Sequence, residues 1–156
     1  MTQDMNRAGV IETLNQILEA ELAGVVRYTH YSLMVMGPYR GPIVTWLQAQ
    51  ATESLTHAQE AGEMLTQLGA HPSLGIGKLL ETHQHDLESI LRESLDHERA
   101  TLQKYWHLKN LVEGHSIMLE EYARTMIATE EKHCGEVDRM LRKPGDLTPV
   151  VAGLMR

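Results

Sequence analysis

Residues 116–143, SIMLEEYARTMIATEEKHCGEVDRMLRK, carry the pattern that decides the fold. Apolar residues recur every three or four positions along this stretch, which is the period of an α-helix with one face turned towards a core. Glu130 and His133 interrupt that face near its middle. Because they are three residues apart, they lie on the same side of the helix. The stretch therefore predicts a helix that carries a carboxylate and an imidazole into the interior.

Glycine and proline residues divide the rest of the chain into similar stretches. They cluster at 37–42, 69–77, 114 and 144–145, and both residue types favour turns and helix ends. The segments between them predict four helices, at about 8–36, 42–69, 83–113 and 116–143. No segment alternates apolar and polar residues as a strand does. The sequence therefore predicts an all-α fold.

The lengths of the links predict the topology. The first and third links are short, so the helices that each of them joins are antiparallel. The middle link, about 70–82, reaches about 40 Å when extended, which is about the length of one of these helices. We therefore expect a four-helix bundle with a long crossover between helices two and three. A single domain would span 1–156, with the bundle at about 8–143 and a short C-terminal tail helix within 144–156.

The other three predicted helices also carry polar or ionisable residues within their apolar faces. Glu21 lies in the face of the first, His57 in that of the second and Glu98 in that of the third. A buried carboxylate costs several kcal/mol unless it is paired, neutralised or bound to a metal. For one residue alone, a wrongly phased apolar face is the simpler interpretation. Three carboxylates and two imidazoles at similar depth instead predict a cation site, and this ligand set suits iron, manganese or zinc.

Composition excludes several classes of function. The net charge of −7 argues against a nucleic-acid surface. No apolar run approaches the ~18 residues of a membrane span, and the polar segment 1–9 is unlike a secretory signal, so we expect a cytoplasmic protein without membrane partners. A single cysteine, Cys134, allows neither an intrachain disulfide nor a thiolate metal cluster, and we expect it to be a small packing residue.

The chain resembles the ferritin-like di-iron proteins, and bacterioferritins in particular, over about residues 8–141. The similar segments are Leu14-Asn15-Gln16-Ile17-Leu18, Glu21-Leu22, Glu53-Ser54-Leu55, His57-Ala58, Pro72-Ser73-Leu74, Gly77-Lys78-Leu79, Asp86-Leu87-Glu88 and Glu130-Glu131-Lys132-His133. The resemblance implies a bundle whose core holds two irons, with one Glu from each of two helices and a Glu-x-x-His pair from each of the other two.

The resemblance also implies a role for each matching residue. Glu21 and Glu98 would be terminal ligands, His57 and His133 the imidazole ligands, and Glu130 a carboxylate shared by both irons. These five would be both metal ligands and catalytic residues. Tyr28 would lie close enough to the site to donate a hydrogen bond, although packing is an equally good interpretation of it.

The sequence departs from the family pattern at two positions of the second helix. Ser54 stands where the family has a second bridging Glu, and Glu53 is the nearest substitute ligand, although a solvated carboxylate is the simpler interpretation of it. Leu55 stands where bacterioferritins have a haem-ligating Met, so we do not expect haem. Iron, one or two ions per chain, is the expected cofactor.

Two functions follow from the resemblance. The first is a ferroxidase that oxidises Fe(II) with oxygen or peroxide and passes Fe(III) to a mineral store, in a homo-oligomeric cage that is built from dimers and has 24 subunits by analogy. The second is a non-catalytic or single-metal cage subunit, mixed with a second, competent ferritin-like subunit. A DNA-binding mini-ferritin is disfavoured by the net charge of −7.

Overall fold

The computed structural model describes residues 4–79 and 82–151, and its regular structure consists of four α-helices. They are α1 (Arg7–Met34), α2 (Arg40–Gln67), α3 (Leu87–Val112) and α4 (Ile117–Leu141). Helix α1 packs on α2, α3 packs on α4, and the two pairs meet through α1 and α3. No strand occurs among the described residues. The predicted all-α four-helix bundle is therefore confirmed.

Capping side chains determine where α3 and α4 begin. Asp86 accepts a hydrogen bond from the backbone N–H of Ser89, and Ser116 accepts one from that of Leu119. Such caps satisfy N–H groups that have no partner within the helix. Helix α4 thus begins at Ile117, close to the predicted start at about 116. Helix α3, however, begins at Leu87 and not at about 83, because the cap lies at Asp86.

The link between α2 and α3 runs lengthwise along α1. The backbone N–H of Ser73 donates to Asn15 Oδ1 at 2.8 Å, and four residues further along both segments that of Gly77 donates to the Glu19 carbonyl at 2.8 Å. A Cβ atom at position 77 would lie 3.0 Å from that carbonyl oxygen, so glycine permits this close approach. The link therefore forms the expected crossover.

The described part of the C-terminal tail folds back on α4. Asp138, which is fully buried, accepts hydrogen bonds from the backbone N–H groups of Val150 and Val151 at 2.9 and 3.1 Å. Arg142 Nε donates to the same carboxylate at 2.8 Å. Residues 144–151 form turns and bends, so the expected tail helix is not present there. Residues 152–156, the rest of that expected helix, lie outside the described residues.

The core is mainly apolar, and a group of polar side chains lies near its middle. Its apolar side chains come from all four helices, and Cys134 is buried among them as a small packing residue. The buried ionisable and hydroxyl groups include Glu21, Ser54, His57, Glu98 and Glu130. Within residues 4–79 and 82–151, none of the helices combines the length and the apolar character that crossing a bilayer requires.

Candidate metal centre

All four helices contribute an ionisable side chain to one buried cluster. Glu21 of α1, Glu98 of α3 and Glu130 of α4 are 3%, 5% and 1% exposed. His57 of α2 is 7% exposed, and the side chain of His133 of α4 is 18% exposed. The structure thus brings together the five residues that the sequence analysis selected as ligands.

The cluster consists of two triads that share Glu130. In each triad, the three residues offer ligand atoms that lie within 4.8 Å of one another: Glu21, His57 and Glu130 in the first, and Glu98, Glu130 and His133 in the second. His57 Nδ1 is 3.3 Å from Glu130 Oε1, and His133 Nδ1 is 3.7 Å from Glu130 Oε2. The outer carboxylates are 3.5 Å (Glu21) and 3.9 Å (Glu98) from the same Nδ1 atoms. Glu130 therefore presents one oxygen to each triad.

Two tyrosines donate hydrogen bonds to the outer carboxylates, each from the opposite helix. Tyr28 of α1 donates a hydrogen bond to Glu98 of α3, and Tyr105 of α3 donates one to Glu21 of α1 at 2.9 Å. Burial raises the pKa of both phenols well above its usual value, so both remain donors. Tyr28 thus lies at the site, as expected, whereas Tyr105 was not identified from the sequence. The available signal was the shared spacing, since each tyrosine follows its helix's carboxylate by seven residues.

Ser54 breaks the symmetry between the two triads. It lies three residues before His57, as Glu130 lies three before His133, but it provides a hydroxyl and no carboxylate. A Cβ atom at Gly24 would lie 2.7 Å from Ser54 Oγ and 3.1 Å from His97 Nε2. Because Gly24 has no side chain, Ser54 and His97 can pack directly against the backbone of α1.

Glu53 lies on the outer side of the two imidazoles. Its Oε2 is 3.0 Å from His133 Nε2, and its Oε1 is 3.7 Å from His57 Nε2. The two rings are stacked, with centroids 6.2 Å apart and planes inclined by 20°. Glu53 contacts the edge of each ring opposite to the one that faces Glu130. It is part of neither triad, so a role as direct ligand finds no support in this geometry.

Burial and mutual contacts determine the charges of the metal-free cluster. Burial, reinforced by the negative charge of Glu98, raises the pKa of Glu130 well above its usual range, and burial also raises that of Glu21. Burial opposes ionisation of Glu98 too, but contacts with Glu130 and His133 hold its pKa below the usual value. Burial alone would lower the pKa values of the imidazoles, yet the carboxylates raise them to about 10 for His57 and about 11 for His133. In the metal-free cluster, the positive charges of His57 and His133 therefore compensate negative charge on the carboxylates.

The chemistry of the cluster fits a transition-metal ion. Glu130 Oε2 is buried and, within the described part of the chain, has no hydrogen-bond partner. An unsatisfied buried carboxylate oxygen is costly, and a cation at this place would satisfy it. Carboxylate oxygens together with imidazole nitrogens suit iron, manganese or zinc. Cys134 belongs to neither triad, and burial raises its pKa to about 12, which disfavours a thiolate.

The position that the resemblance assigns to haem ligation lies on the surface of the chain. Leu55 of α2 is 44% exposed. Its side chain contains no atom that can coordinate iron.

Comparison with known proteins finds similarity in both sequence and structure. A family model described as a ferritin-like domain matches residues 11–144. No curated protein matches the sequence. A ferritin-like, diiron-carboxylate protein from Bacillus anthracis has a TM-score of 0.82 and 25% identity, over 91% of this chain and 100% of that chain.

Two further solved structures are similar. The bacterioferritin of Desulfovibrio desulfuricans, described with its diiron site in different catalytic states, has a TM-score of 0.75 and 27% identity, over 86% of this chain and 79% of that chain. A dodecameric thioferritin from Bacteroides fragilis shares the fold, with a TM-score of 0.82 and 23% identity, over 88% of this chain and 87% of that chain.

Proposed function

The chain belongs to the ferritin-like family, and from this premise we propose that it binds iron at the two triads and oxidises Fe(II) to Fe(III) for storage. The position of Glu130 is the observation that carries this proposal. One buried carboxylate that presents an oxygen to each of two Nδ1 atoms is well placed to bind two neighbouring ions. The resemblance to structures described as diiron proteins supports the same assignment.

In the proposed reaction, each residue of the cluster has a distinct role. Glu21 and His57 would hold one ion, Glu98 and His133 would hold the other, and Glu130 would provide an oxygen to each. Two adjacent Fe(II) ions would supply one electron each to the oxidant. With two protons from solvent, dioxygen is thereby reduced to hydrogen peroxide, or hydrogen peroxide to water. The carboxylates stabilise the additional positive charge of the ferric product.

Proton release, hydrogen bonds from neighbouring residues and the exclusion of water would all favour metal binding and oxidation at the cluster. Metal binding displaces the protons of His57 and His133, because a metal and a proton compete for the same nitrogen. Tyr28 and Tyr105 donate hydrogen bonds to Glu98 and Glu21 and thereby orient these carboxylates. Water is largely excluded, since the three carboxylates are at most 5% exposed.

We further propose that the protein is cytoplasmic and acts as a homo-oligomer that encloses the stored iron. Large apolar side chains remain exposed at several surface positions, among them Leu74, Met36 and Ile117, which are 95%, 71% and 83% exposed. Met36 lies between α1 and α2, Leu74 in the crossover and Ile117 at the start of α4, and these side chains are candidate contacts with further copies of the chain.

Stoichiometric Fe(II) oxidation tests the proposed activity. Metal-free protein receives increasing amounts of Fe(II) in air-saturated buffer, and oxygen consumption and ferric absorbance are followed by stopped flow. We expect a fast phase that saturates at about two irons per chain. Saturation at one iron or none, without a fast phase, would contradict a ferroxidase.

Ser54 favours a second candidate function. The two triads together contain three carboxylates, and Ser54 provides none at the place that mirrors Glu130. A chain of this kind would bind one ion, or two weakly, and would serve as a structural subunit beside a competent ferritin-like partner. Slow oxidation with one bound iron per chain in the same titration would support this alternative.

A further inference from the structure

Glu53 is a half-buried carboxylate that contacts both histidines of the centre. Its side chain is 38% exposed and reaches from the surface of α2 to His57 on the same helix and His133 on α4. Helices α2 and α4 are not among the helix pairs that pack closely in the described part of the chain. Glu53 therefore provides a polar link between two helices whose backbones do not pack closely against each other.

Both imidazole rings are oriented with Nε2 towards Glu53 and Nδ1 towards Glu130. A neutral imidazole carries one N–H, and the nitrogen that keeps the proton is set by the hydrogen bond that it donates. When Nε2–H donates to Glu53, the free lone pair is on Nδ1. Both Nδ1 atoms face Glu130, at 3.3 and 3.7 Å, on the side where the ions would bind. Glu53 lies within hydrogen-bond distance of His133 Nε2, at 3.0 Å, and 3.7 Å from His57 Nε2. A small shift of its side chain would let one carboxylate select the same tautomer in both rings of the metal-loaded protein.

The charge balance of the centre also favours a carboxylate at Glu53, beside the two imidazoles. Glu21, Glu98 and Glu130 compensate three of the four positive charges of two divalent ions. Ser54 contributes no charge. Glu53 supplies a fourth carboxylate next to the imidazoles, where it stabilises the positive charge that they acquire as ligands.

We propose that Glu53 is a positioning residue that accepts the Nε2–H groups of His57 and His133 and holds both Nδ1 atoms towards the two ions. This inference rests on the proposed function, since it concerns the same centre. Because Glu53 contacts both rings, its loss weakens the binding of both ions together. A direct ligand of one ion would instead be needed for that ion alone.

Zinc binding to Glu53→Gln tests the inference without any iron chemistry. Glutamine has nearly the size of glutamate, but its single carbonyl oxygen cannot accept both N–H bonds in this bridging arrangement. Glu63→Gln is the matched control, since Glu63 is an exposed carboxylate of the same helix. By calorimetry we expect two zinc ions per chain in all three proteins, with both affinities about 10–100-fold weaker in Glu53→Gln.

Nitrogen-15 NMR of labelled histidines provides the second readout. In the zinc-loaded wild-type protein, we expect two Nε2–H protons that exchange slowly with solvent, and in Glu53→Gln we expect both to exchange faster. Glu53→Asp keeps the charge but is one methylene shorter and cannot reach both rings, so it is also expected to bind zinc more weakly. Circular dichroism confirms that each variant is folded.

The outcomes separate this inference from the proposed function. Unchanged affinities and slow Nε2–H exchange in Glu53→Gln would overturn the positioning role and leave the two-ion centre intact. Loss of one ion with normal binding of the other would also overturn it, since Glu53 would then be a ligand. If the wild-type protein itself bound fewer than two zinc ions, the proposed two-ion centre would fail, and the inference with it.

Discussion

At the residue scale, Glu130 is the group on which both halves of the centre depend. In Glu130→Gln the carboxylate shared by the triads is lost. Removal of residues that only support ligands typically costs 10–100-fold, so loss of this shared ligand is expected to slow Fe(II) oxidation by at least about 100-fold. The metal-free variant should also unfold at a lower temperature near neutral pH, because His57 and His133 lose the buried carboxylate that faces both imidazolium ions. Stopped-flow oxidation and thermal unfolding measure the two effects.

The control for this prediction is the response of the melting temperature to zinc. A bound ion stabilises the folded state according to its concentration and affinity. Zinc should therefore raise the melting temperature of the wild-type protein far more than that of Glu130→Gln. Equal stabilisation of both proteins would show that Glu130 is not shared by the ions.

Ser54 is the second residue whose substitution is informative. Ser54→Glu introduces a carboxylate opposite Glu130, and if the missing carboxylate limits the reaction, the oxidation rate should increase. The longer side chain has to fit beside Gly24 and His97, so the variant is first checked for an unchanged fold. Ser54→Ala, which removes only the hydroxyl, should oxidise iron as the wild type does. A Ser54→Glu protein no faster than wild type would reject this explanation.

The protonation of the histidines makes metal binding dependent on pH. Without metal, the pKa of His57 is about 10 and that of His133 about 11, so both are cations at neutral pH. Binding of ions must release these protons, and affinity should rise by up to about tenfold per pH unit for each proton released. Calorimetry of zinc binding in buffers of different ionisation enthalpy counts the protons. Release of none between pH 6 and 8 would contradict this charge assignment.

The same pKa values determine how the metal-free protein responds to pH. Both folded-state values lie above the unfolded value of about 6.5, so their stabilising effect is complete below pH 6.5. It is lost as the pH rises through about 10 and 11. The histidine contribution therefore lowers the melting temperature of metal-free protein progressively above neutral pH.

The identity of the cluster residues was accessible from the sequence because helical periodicity places them on inward faces. Glu21, Glu98 and Glu130 interrupt apolar stripes, and each proved to be buried. The contacts of Glu53 were not accessible. They depend on how α2 and α4 are rotated about their axes and on side-chain rotamers, neither of which periodicity determines. The bond between Tyr105 and Glu21 was missed for the same reason, since its partners lie on different helices.

At the scale of the elements, two glycines test where the packing of the backbone has room for a side chain and where it does not. A Cβ atom at Gly62 within α2 would meet nothing within 4 Å, whereas one at Gly77 would lie 3.0 Å from the Glu19 carbonyl. Gly62→Ala should raise the free energy of unfolding by about 0.5–1 kcal/mol, since alanine favours helix. Gly77→Ala should lower it by about 1–3 kcal/mol, because the crossover has to move away from α1. Urea denaturation of the metal-free proteins measures both changes.

The elements themselves could largely be predicted, but their ends could not. Four apolar stripes and the Gly- and Pro-rich links indicated α1 to α4 and the crossover. The start of α3 differed by four residues because Asp86, rather than an earlier residue, provides the cap. The conformation of residues 144–151 depends on hydrogen bonds to the buried Asp138, which is distant enough in sequence that no local pattern indicates them.

At the scale of the whole molecule, the exposed apolar side chains predict association. Light scattering coupled to size-exclusion chromatography should give a mass that is a multiple of the 17.6 kDa chain. The size of that multiple tests the analogy with a 24-subunit cage. A monomer at micromolar concentration would contradict both the oligomer and the enclosed iron store. Met36→Glu, which places a charge on an exposed apolar position, is expected to weaken the association.

The reciprocal tyrosine contacts have a consequence for how the protein would lose its metal. Tyr28 of α1 steadies a ligand carried by α3, and Tyr105 of α3 steadies one carried by α1. A motion that separates α1 from α3 would break both hydrogen bonds and would weaken the binding of both ions at the same time. Iron would therefore leave in pairs and not singly, and a molecule with a half-filled centre would be rarer than chance occupancy predicts.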